Sequence, residues 1–315
     1  MDISIVIPTW NNCRRLAQTL SALCGCEVPP AVDWELVVVN NQCTDDTDAV
    51  VANFSSRLPI VYVKEPRLGL SRAKNAGVAA ARGRLIIFTD DDVTPCREWI
   101  SAYWEAFLER PRGYYFGGPL ESEFEVETPD VELLRISPPS VRGLDHGTVA
   151  RVLEKGGLVA ANWACPRDVL IQSGGFDENL GLNAPLGVGE ETDLMQRLRG
   201  MGLLPWYVPA ARVKHFVPAS KLSLKHIANR NEAAAYYSVV RFGMQRPPGR
   251  WWVGTLLWEY ARLARRFVRW CVARMAGRPG YQEYVSFRRQ VGKVKALRDR
   301  RRGISLPASG CGDRR

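Results

Sequence analysis

Short apolar runs at residues 3–7, 35–39, 60–63 and 85–88 alternate with helical patterns over 14–23, 46–54 and 71–81. This alternation constrains the fold more than any other feature. Near-continuous apolar runs rich in β-branched residues cannot leave one face in water, so both faces of their sheet must be covered. Helices joining consecutive strands supply that cover, and strands joined this way run parallel. The pattern predicts an α/β fold around a central, mostly parallel sheet. Ligands of open α/β sheets sit at the carboxyl ends of the strands. The residues that close each run therefore matter most.

Leu85-Ile86-Ile87-Phe88-Thr89 is followed directly by Asp90, Asp91 and Asp92. Three adjacent carboxylates repel one another, and a hard divalent cation such as Mg2+ or Mn2+ reverses that penalty. Carboxylates plus such a cation are a common way to hold a diphosphate. The first run ends in Pro8-Thr9-Trp10-Asn11 and the second in Asn40-Asn41-Gln42-Cys43-Thr44-Asp45-Asp46-Thr47. Small polar residues at adjacent strand ends suit a planar base and its sugar, and Thr44 or Asp45 would equally serve as a helix cap. In Gly69-Leu70-Ser71-Arg72-Ala73-Lys74-Asn75-Ala76-Gly77 a helix begins with Ser71 as its cap, and Arg72 and Lys74 lie near its positive end. That is a phosphate cradle by type.

Further along, a helix over 98–108 and a strand over 114–116 precede a segment, 121–157, with Pro129, Pro138, Pro139 and weak periodicity. That segment reads as a long loop or a partly ordered insertion, of the kind that covers a site or is merely tolerated. Regular structure resumes with 158–165, helices at 166–172 and 190–199, strands at 204–208 and 212–216, and a helix from Ser223 to Arg241 stopped by Gly243. Arg246-Pro247-Pro248-Gly249 reads as a hinge.

The net charge of +10 is uneven: residues 1–243 carry 25 basic and 29 acidic side chains, and residues 244–315 carry 18 and 4. The cationic character belongs to the tail, which implies an anionic surface as partner. Arg262, Arg265, Arg266 and Arg269 form one helical stripe, with Trp251, Trp252, Trp258, Leu263, Phe267 and Trp270 nearby. This pattern fits a helix lying on an anionic membrane through 250–275, or one packed on the body with solvated arginines. No nucleic-acid motif accompanies the charge, so nucleic acid is not expected. Arg298-Asp299-Arg300-Arg301-Arg302 and the Gly/Ser/Pro-rich end read as disordered.

Eight scattered cysteines without a C-x-x-C pair fit reduced thiols rather than disulfides or a zinc site. The start lacks the basic segment and apolar length of a signal peptide, and the uncharged run 251–258 is too short for a bilayer. The expectation is a cytoplasmic protein, peripheral at the inner face of the cell membrane.

Residues 3–11, 40–47, 69–77 and 90–92, then Gly174-Gly175-Phe176-Asp177 and Gly189-Glu190-Glu191-Thr192-Asp193-Leu194, occur in the order of family-two glycosyltransferases. Over residues 1–218 the chain resembles an inverting member with the GT-A-type, Rossmann-like fold. The resemblance implies a nucleotide-sugar-binding half at 1–118 and an acceptor-binding half at 119–218, and residues 219–315 read from their own pattern as a helical, basic region with a disordered end. It implies a nucleotide-sugar donor, a saccharide or lipid-linked acceptor, and Mn2+ or Mg2+. Asp90 and Asp92 match the D-x-D acids, Asp90 near the ribose and Asp92 on the metal, with His215 as second metal ligand. Pro8, Thr9, Asn11, Asn40, Arg72, Lys74, Asp91 and Asn162 fall at donor positions. Asn40 stands where many relatives carry an aspartate that reads the base. Trp163, Gly175, Phe176 and Glu190 fall at acceptor positions, and Glu191 at the catalytic base, one methylene longer than the commoner aspartate. Glu190, Glu191 and Asp193 would also serve as an acidic helix start. A catalytically silent nucleotide-sugar binder or membrane-docked assembly subunit is the competing reading. A nucleotidyltransferase would need an N-terminal glycine-rich loop, which Pro8-Thr9-Trp10-Asn11-Asn12 lacks.

Overall fold

The structure, a computed structural model, describes residues 1–154, 157–184, 187–243 and 252–302. The first half runs β1 (Ile3–Thr9), α1 (Cys13–Leu23), β2 (Trp34–Asn40), α2 (Thr47–Phe54), β3 (Ile60–Lys64), α3 (Leu70–Ala80) and β4 (Leu85–Thr89). β5 (Val93–Pro95), α4 (Trp99–Glu109), β6 (Tyr114–Gly117) and β7 (Leu120–Phe124) follow. Two short helices, α5 (Val131–Arg135) and α6 (Pro139–Arg142), lead to β8 (Arg151–Val152), β9 (Asn162–Pro166) and α7 (Arg167–Gln172). The body ends with α8 (Glu190–Gly200), β10 (Leu204–Tyr207), β11 (Val213–Val217) and a 3-10 turn, Ala219–Leu222. Three long helices complete the described chain: α9 (Leu224–Phe242), α10 (Trp252–Met275) and α11 (Tyr281–Arg301).

Eight strands form one sheet in the order β3-β2-β1-β4-β9-β6-β10-β8. The four expected strands pair in parallel, and β9 enters antiparallel between β4 and β6. Every residue of β1 and β4 is buried, Ser4 and Thr9 of β1 included, as near-continuous apolar runs require. Alternate residues serve opposite layers. Ile3, Ile5 and Ile7 pack with Leu16, Leu20, Trp99 and Tyr103, whereas Val6 packs with Val37, Val39, Ala73 and Leu194.

A second sheet, β5-β11-β7, positions the site. β5 begins one residue after Asp92, and in its antiparallel pairing with β11 Val93 sits opposite His215. Two residues more than a hundred positions apart are thereby set side by side.

Segment 121–157 takes the partly ordered of its two expected forms: its start is strand β7, parallel to β11, and α5 and α6 follow. β7 belongs to a small sheet and alternates in exposure, so its sequence lacks the apolar run that marks the central strands. Arg298–Arg301 belong to α11 rather than a disordered tail, because Ala296 and Leu297 pack on Val239 and the Tyr236 hydroxyl donates to Asp299 at 2.9 Å. The Arg246–Gly249 break, Trp251 and the end beyond residue 302 lie outside the described residues.

Candidate active site

The carboxyl ends of β1 and β4 open into a cleft of about 290 Å³ lined by Pro8, Thr9, Asn11, Asp90, Asp91, Asp92 and His215. Asn12, Asn41, Leu182, Asn183 and Lys221 join them. The three aspartates divide their work. Asp91 turns toward β1 and α1: it accepts from Thr9 Oγ1 at 2.6 Å and Asn12 Nδ2 at 2.7 Å, and its carbonyl accepts from Thr19 Oγ1 at 3.0 Å. Burial and neighbouring Asp92 push its carboxyl up to about 7, against those two hydrogen bonds. Asp91 thus anchors the acidic turn.

Asp90 and Asp92 face His215, and ligand atoms of the three lie within 4.8 Å of one another. His215 Nε2 lies 3.4 Å from Asp92 Oδ1, and Lys221 Nζ 3.7 Å from Asp92 Oδ2. Asp92 Oδ1 and His215 Nδ1 are buried without a hydrogen-bond partner among the described residues. The short distance to Nε2 therefore lacks hydrogen-bond geometry. An orphaned buried carboxylate oxygen is costly. Two carboxylates and an imidazole with spare lone pairs fit a divalent cation.

Behind the aspartates, Lys74 of α3 is buried and ion-paired with Glu191 at the start of α8. Burial alone would depress the Lys74 ammonium, but Glu191, Glu190 and Asp90 hold it above its usual range. Burial also opposes the charge on Glu191, and Lys74 more than offsets it, so this carboxylate sits below its ordinary range. Glu190 behaves in the opposite way: burial and the adjacent Glu191 push it up to about 8. One helix start thus carries a carboxylate held charged beside one biased toward the protonated form.

That helix start is fixed from two sides. Gly189 has φ +101°, and a Cβ there would lie 2.9 Å from the Tyr237 ring of α9, so only glycine lets α9 approach. Asp193 accepts from Arg197 Nε at 2.8 Å and from Arg241 Nε, at the end of α9, at 2.6 Å.

Several expected donor and acceptor residues lie elsewhere. Asn162 is fully buried. Its Oδ1 accepts from Trp99 Nε1 at 2.8 Å and Tyr103 OH at 2.7 Å, and its Nδ2 donates to the carbonyls of Pro119 and Ala211 at 2.8 Å each. Every polar group of that amide is engaged, which leaves none for a sugar. Asn40 donates to Asp48 at 2.9 Å and Tyr62 OH at 2.7 Å, and accepts from Cys43 N at 2.8 Å, outside the cleft lining. Arg72 pairs with Glu178 at 3.1 Å. Trp163 stacks on Phe88 at 4.8 Å and meets Phe176 edge-on, all three within the core. Gly175, at φ +69°, is shaped by Asn75, whose amide bridges both backbone groups of Phe176 at 2.8 Å.

Ser71 is not a cap: α3 starts one residue earlier, and the Ser71 hydroxyl donates to the Leu180 carbonyl at 2.7 Å. Asp45 binds Cys13 N at 2.8 Å and Thr47 Oγ1 at 2.5 Å, joining the starts of α1 and α2. Asn12, Asn183 and Lys221 were not anticipated. Asn12 adjoins a residue that was, but Lys221, on the turn after β11, reaches Asp92 only through the fold.

Residues 4–160 match the sequence model of glycosyl transferase family 2. The chain is 28% identical over 221 residues to the pre-mycofactocin glycosyltransferase of Mycobacterium tuberculosis, covering 68% of this chain and 42% of that relative. It is 25% identical over 236 residues to the succinoglycan biosynthesis protein ExoM of Rhizobium meliloti, covering 73% and 72%. The chain thus spans under half the length of the first relative. Among solved structures, the mannosyltransferase PcManGT from Pyrobaculum calidifontis in complex with GDP-Man and Mn2+ superposes with TM-score 0.56 at 17% identity, over 94% of this chain and 87% of that one. The fold is of the GT-A type, and the chain belongs to glycosyl transferase family 2.

Proposed function

We propose that this protein transfers a sugar, with inversion, from a nucleotide-diphosphate donor to a saccharide or lipid-linked acceptor, assisted by Mn2+ or Mg2+. The observation that carries the reading is a cleft lined by a D-x-D pair and a histidine with an unpartnered ring nitrogen, with a lysine-held carboxylate buried behind the aspartates. Residues 1–118 supply the donor side and 119–218 the acceptor side. Asp90, Asp92 and His215 would hold the cation, which when bound offsets the charge that builds on the diphosphate leaving group.

The chain's own residues do the rest. Pro8, Thr9 and Asn11 shape the wall against which the nucleoside lies. Lys74 is ion-paired with the base, and Asp90 as well as Glu191 and Glu190 favours its charge. Drawn toward the donor diphosphate, it leaves Glu191 without its counter-charge in a buried place, and the carboxylate becomes a stronger base. Glu191 then takes the proton of the acceptor hydroxyl as that oxygen attacks the anomeric carbon. Glu190, biased toward the protonated state, is suited to donate a hydrogen bond to the acceptor. The ExoM likeness favours a saccharide under biosynthesis as acceptor, and the cationic tail favours meeting it at the inner face of the cell membrane.

Glu191→Gln tests the assignment. It keeps the shape and removes the basicity, so turnover should fall by roughly 10²–10⁴ while donor affinity stays. Unchanged transfer would remove Glu191 as base. Loss of donor affinity alone would make the pair with Lys74 a binding element only.

A further inference from the structure

The outward face of α10 is apolar, the reverse of what water selects on a helix. Leu257, Ala261, Ala264, Val268, Val272 and Met275 recur every three or four residues, which places them on one stripe, and all six are exposed. Met275 is 80% exposed and Leu257 66%. Two polar side chains of α10, Glu259 and Arg266, face α11 instead. Glu259 is fully buried and accepts from Gln290 Nε2 at 2.5 Å, and Arg266 Nη1 donates to the Ser286 carbonyl at 2.8 Å. A continuous apolar stripe of this length marks an interaction surface.

Cations border it. Arg262, Arg265 and Arg269 run along one edge, where with Arg266 and Arg278 they line a cleft of about 580 Å³ between α10 and α11. Glu283 is the one carboxylate in that lining among the described residues. Burial, with Arg262 and Arg289 close by, lowers the Arg266 guanidinium below its usual range. Exposed aromatic rings sit at both borders, Trp258 on the arginine side under the Arg262 guanidinium at 4.2 Å, and Tyr260 opposite. Repelling cations around an apolar strip match a surface that is anionic at its rim and apolar within.

We propose that α10 is an in-plane docking helix for an anionic phospholipid bilayer, its stripe sunk among acyl chains and Arg262, Arg265 and Arg269 on lipid phosphates. The proposal deepens the functional reading above, on which it rests for the membrane-side acceptor. At 24 residues α10 is about 36 Å long, yet no described helix is apolar enough to cross a membrane. It therefore lies along the surface. A second copy docked through the same stripe about a two-fold axis would bring arginine-rich borders together. Nucleic acid would take up the arginines and leave the stripe in water.

The test is cosedimentation of the full chain with vesicles of phosphatidylcholine alone or of equal parts phosphatidylcholine and phosphatidylglycerol. The mixed vesicles should bind the chain at least roughly ten-fold more tightly, less so at high salt, and Arg262→Gln/Arg265→Gln/Arg269→Gln should weaken this by about 100-fold. Val268→Glu/Val272→Glu should abolish binding although all the arginines remain. Both variants should keep the parent unfolding transition and donor turnover. Equal binding to both vesicle types, or no binding to the mixed ones, overturns the proposal. So does a Val268→Glu/Val272→Glu variant that binds vesicles normally while a parental dimer falls to monomer in sedimentation velocity. Donor turnover is read separately: an inactive protein that still docks overturns the sugar-transfer reading alone, and an active one that does not dock overturns this proposal alone.

Discussion

Asn162 is where a family position and the local geometry make opposite predictions. Replacing it with leucine keeps the volume and deletes the amide. The Trp99 indole N–H and the Tyr103 O–H lose their acceptor, and the Ala211 carbonyl loses its donor. The Pro119 carbonyl keeps a partner, because Val213 N also donates to it at 3.2 Å. Three buried groups are left unpaired, at roughly 1–3 kcal/mol each, and even the low end sums to about 3 kcal/mol. Against a typical 5–15 kcal/mol for a domain this is large, and it lowers Tm by about 6–12 °C on the scaling for slightly smaller domains. Thermal unfolding followed by circular dichroism reads the shift. Donor KM, measured well below the transition, should stay within roughly two-fold of the parent, since no donor contact is removed. An Asn162→Leu protein that melts like the parent but binds donor poorly would refute this reasoning and return Asn162 to the sugar.

The buried pair of Lys74 and Glu191 yields a second prediction: Lys74→Met strands a buried carboxylate and costs about 3–5 kcal/mol, whereas Lys74→Met/Glu191→Leu recovers much of it. Denaturant midpoints of parent, single and double variants check this, and a double variant less stable than Lys74→Met contradicts it. Glu35, buried between β1 and β2, accepts from Ser4 at 2.6 Å and from Arg82 N, Nε and Nη2 at 2.6–2.9 Å. Burial opposes its charge, but these bonds prevail and hold it below the ordinary glutamate range. A depressed folded-state pKa contributes stability above the unfolded value, near 4.5, and loses it as pH falls through the folded value. Arg82→Ala should therefore cost roughly 1–2 kcal/mol at neutral pH and progressively less in acid, read from unfolding at several pH values. Ser223 accepts from His226 N at 3.2 Å as the cap of α9, so Ser223→Ala should lower stability by about 0.5–2 kcal/mol.

The central strands were legible because burial on both faces leaves a near-continuous apolar run, and β1 to β4 lie within two residues of their expected bounds at either end. The acidic turn was legible too, since Asp90, Asp91 and Asp92 have no local reason to adjoin. What each aspartate does was not: Asp91 serves Thr9 and Asn12, partners chosen by the pairing of β1 with β4. Asn40, Asn162, Trp163 and Phe176 show the limit most clearly. A motif position places a residue near a site in the chain, but its side chain answers to whichever neighbours fill its hydrogen bonds. Lys221 and Arg241 carried no sequence signal, because their partners Asp92 and Asp193 come from elements far away in the chain. The tail's charge was countable in advance. That α10 turns its apolar stripe outward and Glu259 inward required knowing where α11 packs.

The most direct test of the sugar-transfer account is release of nucleoside diphosphate from a panel of nucleotide-sugars by the purified full chain, with Mn2+, Mg2+ or chelator. The account predicts release from one donor that depends on the divalent cation and is lost in Asp92→Asn, while that variant keeps the parent's unfolding transition. Equal release with chelator, or an Asp92→Asn protein as active as the parent, would contradict a cation held by Asp90, Asp92 and His215. A chain that binds no nucleotide-sugar under any of these conditions would contradict the account itself.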